Sequence, residues 1–236
     1  MRRSKRLSKR SPTSKIRFNL GMPLRLTIFD LDHTLLRINC SLHFGIYLYK
    51  KKCFSTLSMI RFLAHYLHHK LLGSPIAALH QQIFAKLFLG RYLSEIEAHV
   101  ENYLNLHFSS IHYPPAVTRL QEALKRGDHI AILSNGPHFL VKAIAKRFNV
   151  AHWDATHYAV DQEQRFNTIS KMLEGRQKAD YIKAFAAKFG IAKKQITAYS
   201  DSYLDLPLLE AAGVPIGVRP DKTLKRICKQ NGWEMI

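Results

Sequence analysis

The chain has 236 residues, enough for one core with an inserted or appended subdomain and too few for two average domains. Its three cysteines, Cys40, Cys53 and Cys228, are odd in number and lack metal-site spacing, which argues against disulfides and zinc and for a reducing, cytoplasmic setting. Lys and Arg outnumber Asp and Glu by 36 to 17, and the formal net charge of +19 points towards anionic partners.

The surplus is concentrated at the start. MRRSKRLSKRSPTSKIR carries eight basic residues and no acid, so residues 1–21 are predicted to form a disordered tail. Such a tail could touch nucleic acid or anionic lipid, act as an organelle-type address, or do nothing specific; Met22 would also serve as an alternative start. No apolar run reaches the roughly 18 residues that span a bilayer, and there is no secretory pattern.

LRLTIFDL (24–31) is a short apolar run of β-formers ending in polar residues, the pattern of a buried parallel strand that opens into a site. HIAILSNG (129–136), QITAYSDS (195–202) and VPIGVRP (214–220) repeat it. Helical patterns lie between them: AVTRLQEALKRG and KADYIKAFAAKFG both close on Gly, and PHFLVKAIAKRFNV opens with Pro at an N1-like place. WDATHYAVDQEQRF (153–166) reads as a strand and a short hairpin. Alternating strands and helices predict an α/β fold, a Rossmann-like doubly wound parallel sheet with its site at the carboxyl ends of the strands. Residues 38–114 break the alternation with long apolar and aromatic helical stretches, so a helical cap is expected there, inserted after the first strand into a core of residues 22–37 and 115–236.

Asp30 and Asp32 stand one residue apart where the first strand ends. A carboxylate can attack phosphorus once the electrophile's negative charge is masked, and Mg²⁺ is the usual masking ion, held by one or two carboxylates, phosphate and water. Asp30 would be the nucleophile; Asp32 would protonate the leaving alcohol and then activate water, its carbonyl reaching the metal. The pair alone is also compatible with two solvated turn aspartates and a Thr34 helix cap. LSNG adds the Ser134 hydroxyl and the Asn135 and Gly136 amides near a helix start, a ready phosphate site, although Ser134 could be only an N-cap. EGRQKADYIKAF adds Lys178 at a loop-to-helix junction, either neutralising phosphoryl charge or solvated. YSDSYLDLPLLEAAG adds Asp201 to complete the metal site and Asp205 to orient the ligands or Lys178, unless both are ordinary helix-start carboxylates. Thr34 and Arg37 join Asn135 and Gly136 as candidates for contact with phosphate or leaving group.

DLDHT, LSNG, EGRQK and SDSYLDLPLL resemble, in order and spacing, the four motifs of the haloacid dehalogenase-like hydrolase superfamily. VRPDKTLKRICKQNGW resembles the end of its phosphoserine-phosphatase-like branch, in which a helical cap follows the first motif. The resemblance covers residues 24–236. It implies Asp30 as nucleophile, Asp32 as general acid and base, Ser134 and Lys178 as phosphate ligands, and Asp30, the Asp32 carbonyl and Asp201 as Mg²⁺ ligands, with Asp205 behind them. The expected activity is hydrolysis of a small phosphomonoester through an aspartyl phosphate. Alternatives are phosphoserine phosphatase or phosphotransferase activity, or a catalytically idle module that binds an anionic membrane or nucleic acid.

Two departures from the motif pattern bear on the substrate. His33 stands where the superfamily commonly has Gly, either merely tolerated or facing the leaving group. Between Asp32 and Glu95 there is no Asp or Glu, only cations such as Lys50, Lys51, Lys52, Arg61, Lys70 and Lys86 and the histidines His43, His65, His68, His69 and His80. An ammonium would lack a counter-charge there, which argues against phosphoserine and histidinol phosphate and for an anionic or amphiphilic ester. The histidines could bind metal or line an exposed helical face. The aromatic residues Phe44, Tyr47, Tyr49, Phe62 and Tyr66 read as cap core, and a basic, amphipathic cap would also suit an anionic membrane surface and a lipid phosphate such as a phosphatidylglycerophosphate. Oligomeric state is not legible.

Overall fold

The computed structural model describes residues 24–72 and 76–236; the basic segment 1–21 and Met22 lie outside them, as do the side chains of His69 and Lys70. Strands β1 (Leu26–Phe29), β2 (His129–Pro137), β3 (His152–Val160), β4 (Phe166–Lys171), β5 (Ile196–Ser200), β6 (Val214–Gly217) and β7 (Glu234–Met235) form one sheet in the order β4-β3-β2-β1-β5-β6-β7. Within that sheet only the β3–β4 hairpin is antiparallel. All four residues of β1 are buried, as an apolar run at the centre of a doubly covered sheet must be. Alternate side chains serve opposite faces: Leu26 and Ile28 join the core with Ile182, Phe185 and Leu224, whereas Phe29 joins the core with Leu120, Leu140 and Ile144.

Five helices cover these faces: α5 (Pro114–Arg126), α6 (His138–Arg147), α7 (Gly175–Phe189), α8 (Leu206–Ala211) and α9 (Lys222–Asn231), numbered after the four that precede them in the chain. Gly127 and Gly190 cap α5 and α7 in the left-handed region, as their positions after helical patterns predict. Three details differ from the expectation. Pro137 ends β2 and caps α6 rather than opening the helix. α7 starts at Gly175, three residues earlier than its apolar periodicity indicates, because Glu174 and Gln177 form a reciprocal capping box. The two-residue edge strand β7 has no counterpart in the sequence pattern, since so short a run carries no alternation.

Between β1 and α5 the chain inserts α1 (Cys40–Lys50), α2 (Thr56–Leu72), α3 (Ile76–Ile83) with a wider turn over Phe84–Phe88, and α4 (Leu93–His107). The outgoing and returning strands of this insertion pair with each other, Leu36 bridging His112, Arg37 N–H donating to Ile111 O and Tyr113 N–H to Leu35 O. Phe44, Tyr47 and Phe62 are buried in a cluster continuous with Phe139, Tyr158 and Phe166 of the sheet layer, so the insertion is packed onto the core. Tyr49 and Tyr66 are only half-buried. Lys50, Lys51, Lys52, Arg61 and Lys86 are exposed, so the cations expected to meet an anionic substrate face solvent instead. On α2, Leu57, Ile60 and Leu67 are exposed as well. Among the described residues no helix is long and apolar enough to cross a membrane.

His138 illustrates how tightly β3 and α6 are joined. Its Nδ1 accepts a hydrogen bond from the Tyr158 N–H at 3.2 Å, and its ring stacks on His157 at 4.9 Å. Burial, with His157 and Lys142 adding to it, pushes its pKa down to about 4. Because the unfolded chain protonates first, near pH 6.5, this contact stabilises the fold fully above that pH and is lost as pH falls towards 4. Denaturant titrations at pH 7.5 and pH 4.5 are expected to differ by a His138-dependent component on the order of 2 kcal/mol. His138→Asn, which keeps an acceptor for Tyr158, should flatten that part of the pH dependence; an unchanged slope would assign it to other groups.

Candidate active site

The strand order places the ends of β1, β2 and β5 side by side, and β1 is where connections leave in opposite directions, the point at which a doubly wound sheet opens a crevice. Asp30 follows β1. Its N–H donates to Tyr199 O at 2.9 Å, extending the β1–β5 ladder by one residue. The next residues fold into a tight turn in which Leu36 N–H closes on Leu31 O, Asp32 is extended and His33 is left-handed with φ 59°. That conformation explains why glycine suits the position: histidine adopts it at a cost of about 1–2 kcal/mol. Arg219 secures the turn, donating to His33 O at 2.7 Å and Leu36 O at 3.2 Å while lying over the Tyr113 ring.

Lys178, in the first turn of α7, is 1% exposed. Its Nζ donates to Asp30 Oδ1 at 2.7 Å and to Asp205 Oδ2 at 2.8 Å, and Ser200 Oγ donates to the same Asp205 oxygen at 2.8 Å. The glycine ahead of Lys178 has a steric reason: a Cβ on Gly175 would lie 2.1 Å from Leu204 O. The Asp32 Oδ1 accepts from the Cys40 N–H at 2.8 Å. Ser134 is buried, and its Oγ accepts from the Gly136 N–H at 3.1 Å.

Asp30, Asp32, Ser134, Asn135, Lys178 and Asp201 border one cavity of about 310 Å³, with Asp205 at its back. His33 also borders it. Four carboxylates thus gather round one ammonium. Burial pushes the Asp30 carboxyl up to about 7 against the pull of Lys178. Burial, then the neighbouring Asp30 and Asp205, push Asp201 up to about 8. Burial also raises Asp32, opposed by the Cys40 hydrogen bonds. Burial alone would depress Lys178, but Asp205 and Asp30 outweigh it and hold its pKa above the ordinary lysine value.

This shortage of positive charge suits a divalent cation. Among the described residues no cluster of three or more His, Cys, Asp or Glu side chains is arranged to hold a metal. An all-protein cage is therefore absent there. A hard ion such as Mg²⁺ does not require one, since its usual donor set is one or two carboxylates with phosphate and water, and Asp30 and Asp201, which border the same cavity, could supply the carboxylates. Two of the insertion histidines are engaged otherwise, His43 with the Tyr103 hydroxyl and His80 with that of Tyr158.

Two residues that the sequence nominates for phosphate contact belong elsewhere, and a third has a different partner. Arg37 is exposed and its Nε donates to His112 O at 2.9 Å, because the chain turns outward into the insertion at that residue. Thr34 is fully buried behind the turn, and its hydroxyl donates to Asp201 Oδ1 at 3.4 Å, so it orients an acid and does not meet phosphate. The Gly136 amide is engaged by the Ser134 hydroxyl at the carboxyl end of β2. Arg219, Ser200, Asn39 and Tyr66 enter the site or its supports without having been singled out for it, although Ser200 and Arg219 lie inside stretches that carry the resemblance. Arg219 follows β6 and Ser200 ends β5, so the rule that strand ends face the site could have nominated both.

A family model described as haloacid dehalogenase-like hydrolase matches residues 27–210. A Mycobacterium tuberculosis protein named phosphoserine phosphatase is 28% identical over 221 residues, which are 90% of this chain and 71% of that relative. The crystal structure of a Bordetella pertussis protein of unknown function aligns with a TM-score of 0.79 at 24% identity, covering 91% of this chain and 99% of that one. A phosphoserine phosphatase carrying an analogue of its phospho-aspartyl intermediate aligns with a TM-score of 0.63 at 17% identity, covering 87% and 91%. Since the family match spans well over half of the sequence, the chain belongs to the haloacid dehalogenase-like hydrolase family.

Proposed function

We propose that this hydrolase is a Mg²⁺-dependent phosphomonoesterase that carries the phosphoryl group transiently on Asp30. The supporting observation is the buried Lys178 bridging Asp30 and Asp205 on the cavity that Asp32, Ser134 and Asp201 also border. Similarity to a relative named phosphoserine phosphatase is consistent with phosphomonoester chemistry.

Lys178 and the Ser134 and Asn135 groups receive the phosphate oxygens. One Asp30 oxygen is held by Lys178, which leaves the other to attack phosphorus. The Asp30–phosphorus bond forms as the bond from phosphorus to the alcohol oxygen breaks. Asp32, whose proton affinity burial raises, supplies the proton to that oxygen. The alcohol leaves. Asp32, now ionised and fixed by the Cys40 N–H, takes a proton from water as the water oxygen attacks phosphorus, and the Asp30 carboxylate is released with inorganic phosphate. Ester and water become alcohol and phosphate, with Asp32 protonated again. Asp30, Asp201 and the Asp32 carbonyl would hold the Mg²⁺, which when bound supplies the charge neutralisation that lets an anionic nucleophile approach an anionic ester.

Asp30→Asn should lower turnover of p-nitrophenyl phosphate by about 10³-fold or more, since the amide cannot accept the phosphoryl group. Chelation with EDTA should do the same to the native protein and be reversed by Mg²⁺; turnover that survives either change would refute the mechanism. Lys178→Met should abolish activity and also lower stability by about 3 kcal/mol, because two carboxylates then remain buried without their ammonium. Urea denaturation reads the second effect, and unchanged stability would mean that the ammonium and carboxylates are not packed as an ion cluster.

A further inference from the structure

We infer that the ester this site hydrolyses has a compact, uncharged and apolar alcohol part of about three or four carbons, an inference that rests on the phosphomonoesterase reading above. A second cavity continues from the catalytic one, the two sharing Asp32, Asn39, Tyr66, Leu79 and Asn135 on their walls. Asp32, the group that protonates the leaving oxygen in that reading, borders both cavities, so an alcohol leaving from it has the second cavity directly before it.

Its walls are apolar: Phe44, Phe62, Ile83, Leu87, Phe88 and Leu140 enclose it. Among the described residues no Lys, Arg or Glu lines it, and Asp32 is its one carboxylic acid. The other titratable side chains described there are Tyr66 and the paired His80 and Tyr158, the imidazole Nδ1 lying 2.8 Å from the phenol oxygen. An ammonium group on the alcohol would be buried with no counter-ion except the acid that must hold a proton at that moment, and an anionic alcohol would find no lysine or arginine on the described walls, Lys50 of α1 and Arg61 of α2 being exposed. Ser41, next in sequence to Cys40, also lines it. The cavity holds about 80 Å³. That is about half of the roughly 150 Å³ that accommodates benzene, which limits the enclosed tail to a few carbons and leaves no room for acyl chains.

The test is a series of methyl, ethyl, propyl and butyl phosphates assayed with Mg²⁺ beside O-phosphoserine and glycerol 3-phosphate. Each added methylene should raise kcat/KM about fourfold until the cavity is full, the equivalent of about 0.8 kcal/mol per buried methylene. O-Phosphoserine should fall about 100-fold below butyl phosphate. A flat series, or O-phosphoserine turned over as well as butyl phosphate, would overturn the inference while leaving the phosphomonoesterase reading intact. Absence of turnover for every ester would instead sink that reading. Calorimetric binding to the Asp30→Asn protein decides the inference without turnover: butyl phosphate should bind more tightly than methyl phosphate, and equal affinities would refute it. Leu87→Phe, which narrows the cavity, should reduce the butyl-to-methyl ratio at least about fourfold, the contribution of one methylene.

Discussion

One buried ammonium fixes the geometry of this site. Lys178 could not lie at 1% exposure without partners, nor could Asp30 or Asp205, because each ion alone forfeits its hydration with little return. Together they settle at 2.7 and 2.8 Å, and the cluster ties three separate segments: the end of β1, the first turn of α7 and the loop from β5 into α8. The approach depends on Gly175, since any side chain there would run into Leu204 O and hold α7 away from the loop that carries Asp205. The glycine and the lysine three residues later are therefore parts of one device, in which the first removes bulk so that the second can reach.

The same constraint explains what is legible in the sequence. Strand ends are readable because an apolar run that stops at a polar residue marks the rim of a buried parallel sheet: Asp30 and Asp201 directly follow β1 and β5, and Ser134 ends the apolar run of β2. Their convergence follows from the sheet order, with β1 between β2 and β5. Placing Thr34 and Arg37 requires the path of the chain beyond the rim. Proximity in sequence suggests that both face the phosphate, but the tight turn at His33 sends Thr34 inward behind Asp201 and Arg37 outward to His112. A left-handed histidine leaves no mark in composition, so the direction of that turn is invisible in the sequence. Arg219 escapes notice for a related reason, its partners being backbone carbonyls more than 180 residues away in sequence.

In the insertion, composition identifies the right residues and the wrong faces. Its cations suggest an anionic ligand, yet helical spacing reveals which positions share a face and not which face turns towards the site. Lys50 ends α1 and Lys51 and Lys52 follow it, where the negative end of the helix favours cations regardless of any substrate. The absence of acids from Asp32 to Glu95 is informative for a different reason. It leaves much of the second cavity's wall to Phe, Leu and Ile, on which the inferred preference for an uncharged alcohol rests.

The insertion also reaches the chemistry through Asp32. Its carboxylate accepts from the N–H of Cys40, the first residue of α1, and Asn39, which caps that helix by accepting from Leu42 N–H, borders both cavities. A helix N-terminus favours the ionised carboxylate, whereas burial favours the protonated one. In the proposed mechanism the acid must hold a proton in one half-reaction and release it in the other, and these opposing influences keep both states within reach. The same helix, through Phe44, lines the space for the leaving group. In that mechanism the segment that lines the leaving-group space also adjusts the acid that protonates it, so a change in how α1 seats on the core would alter specificity and proton transfer together.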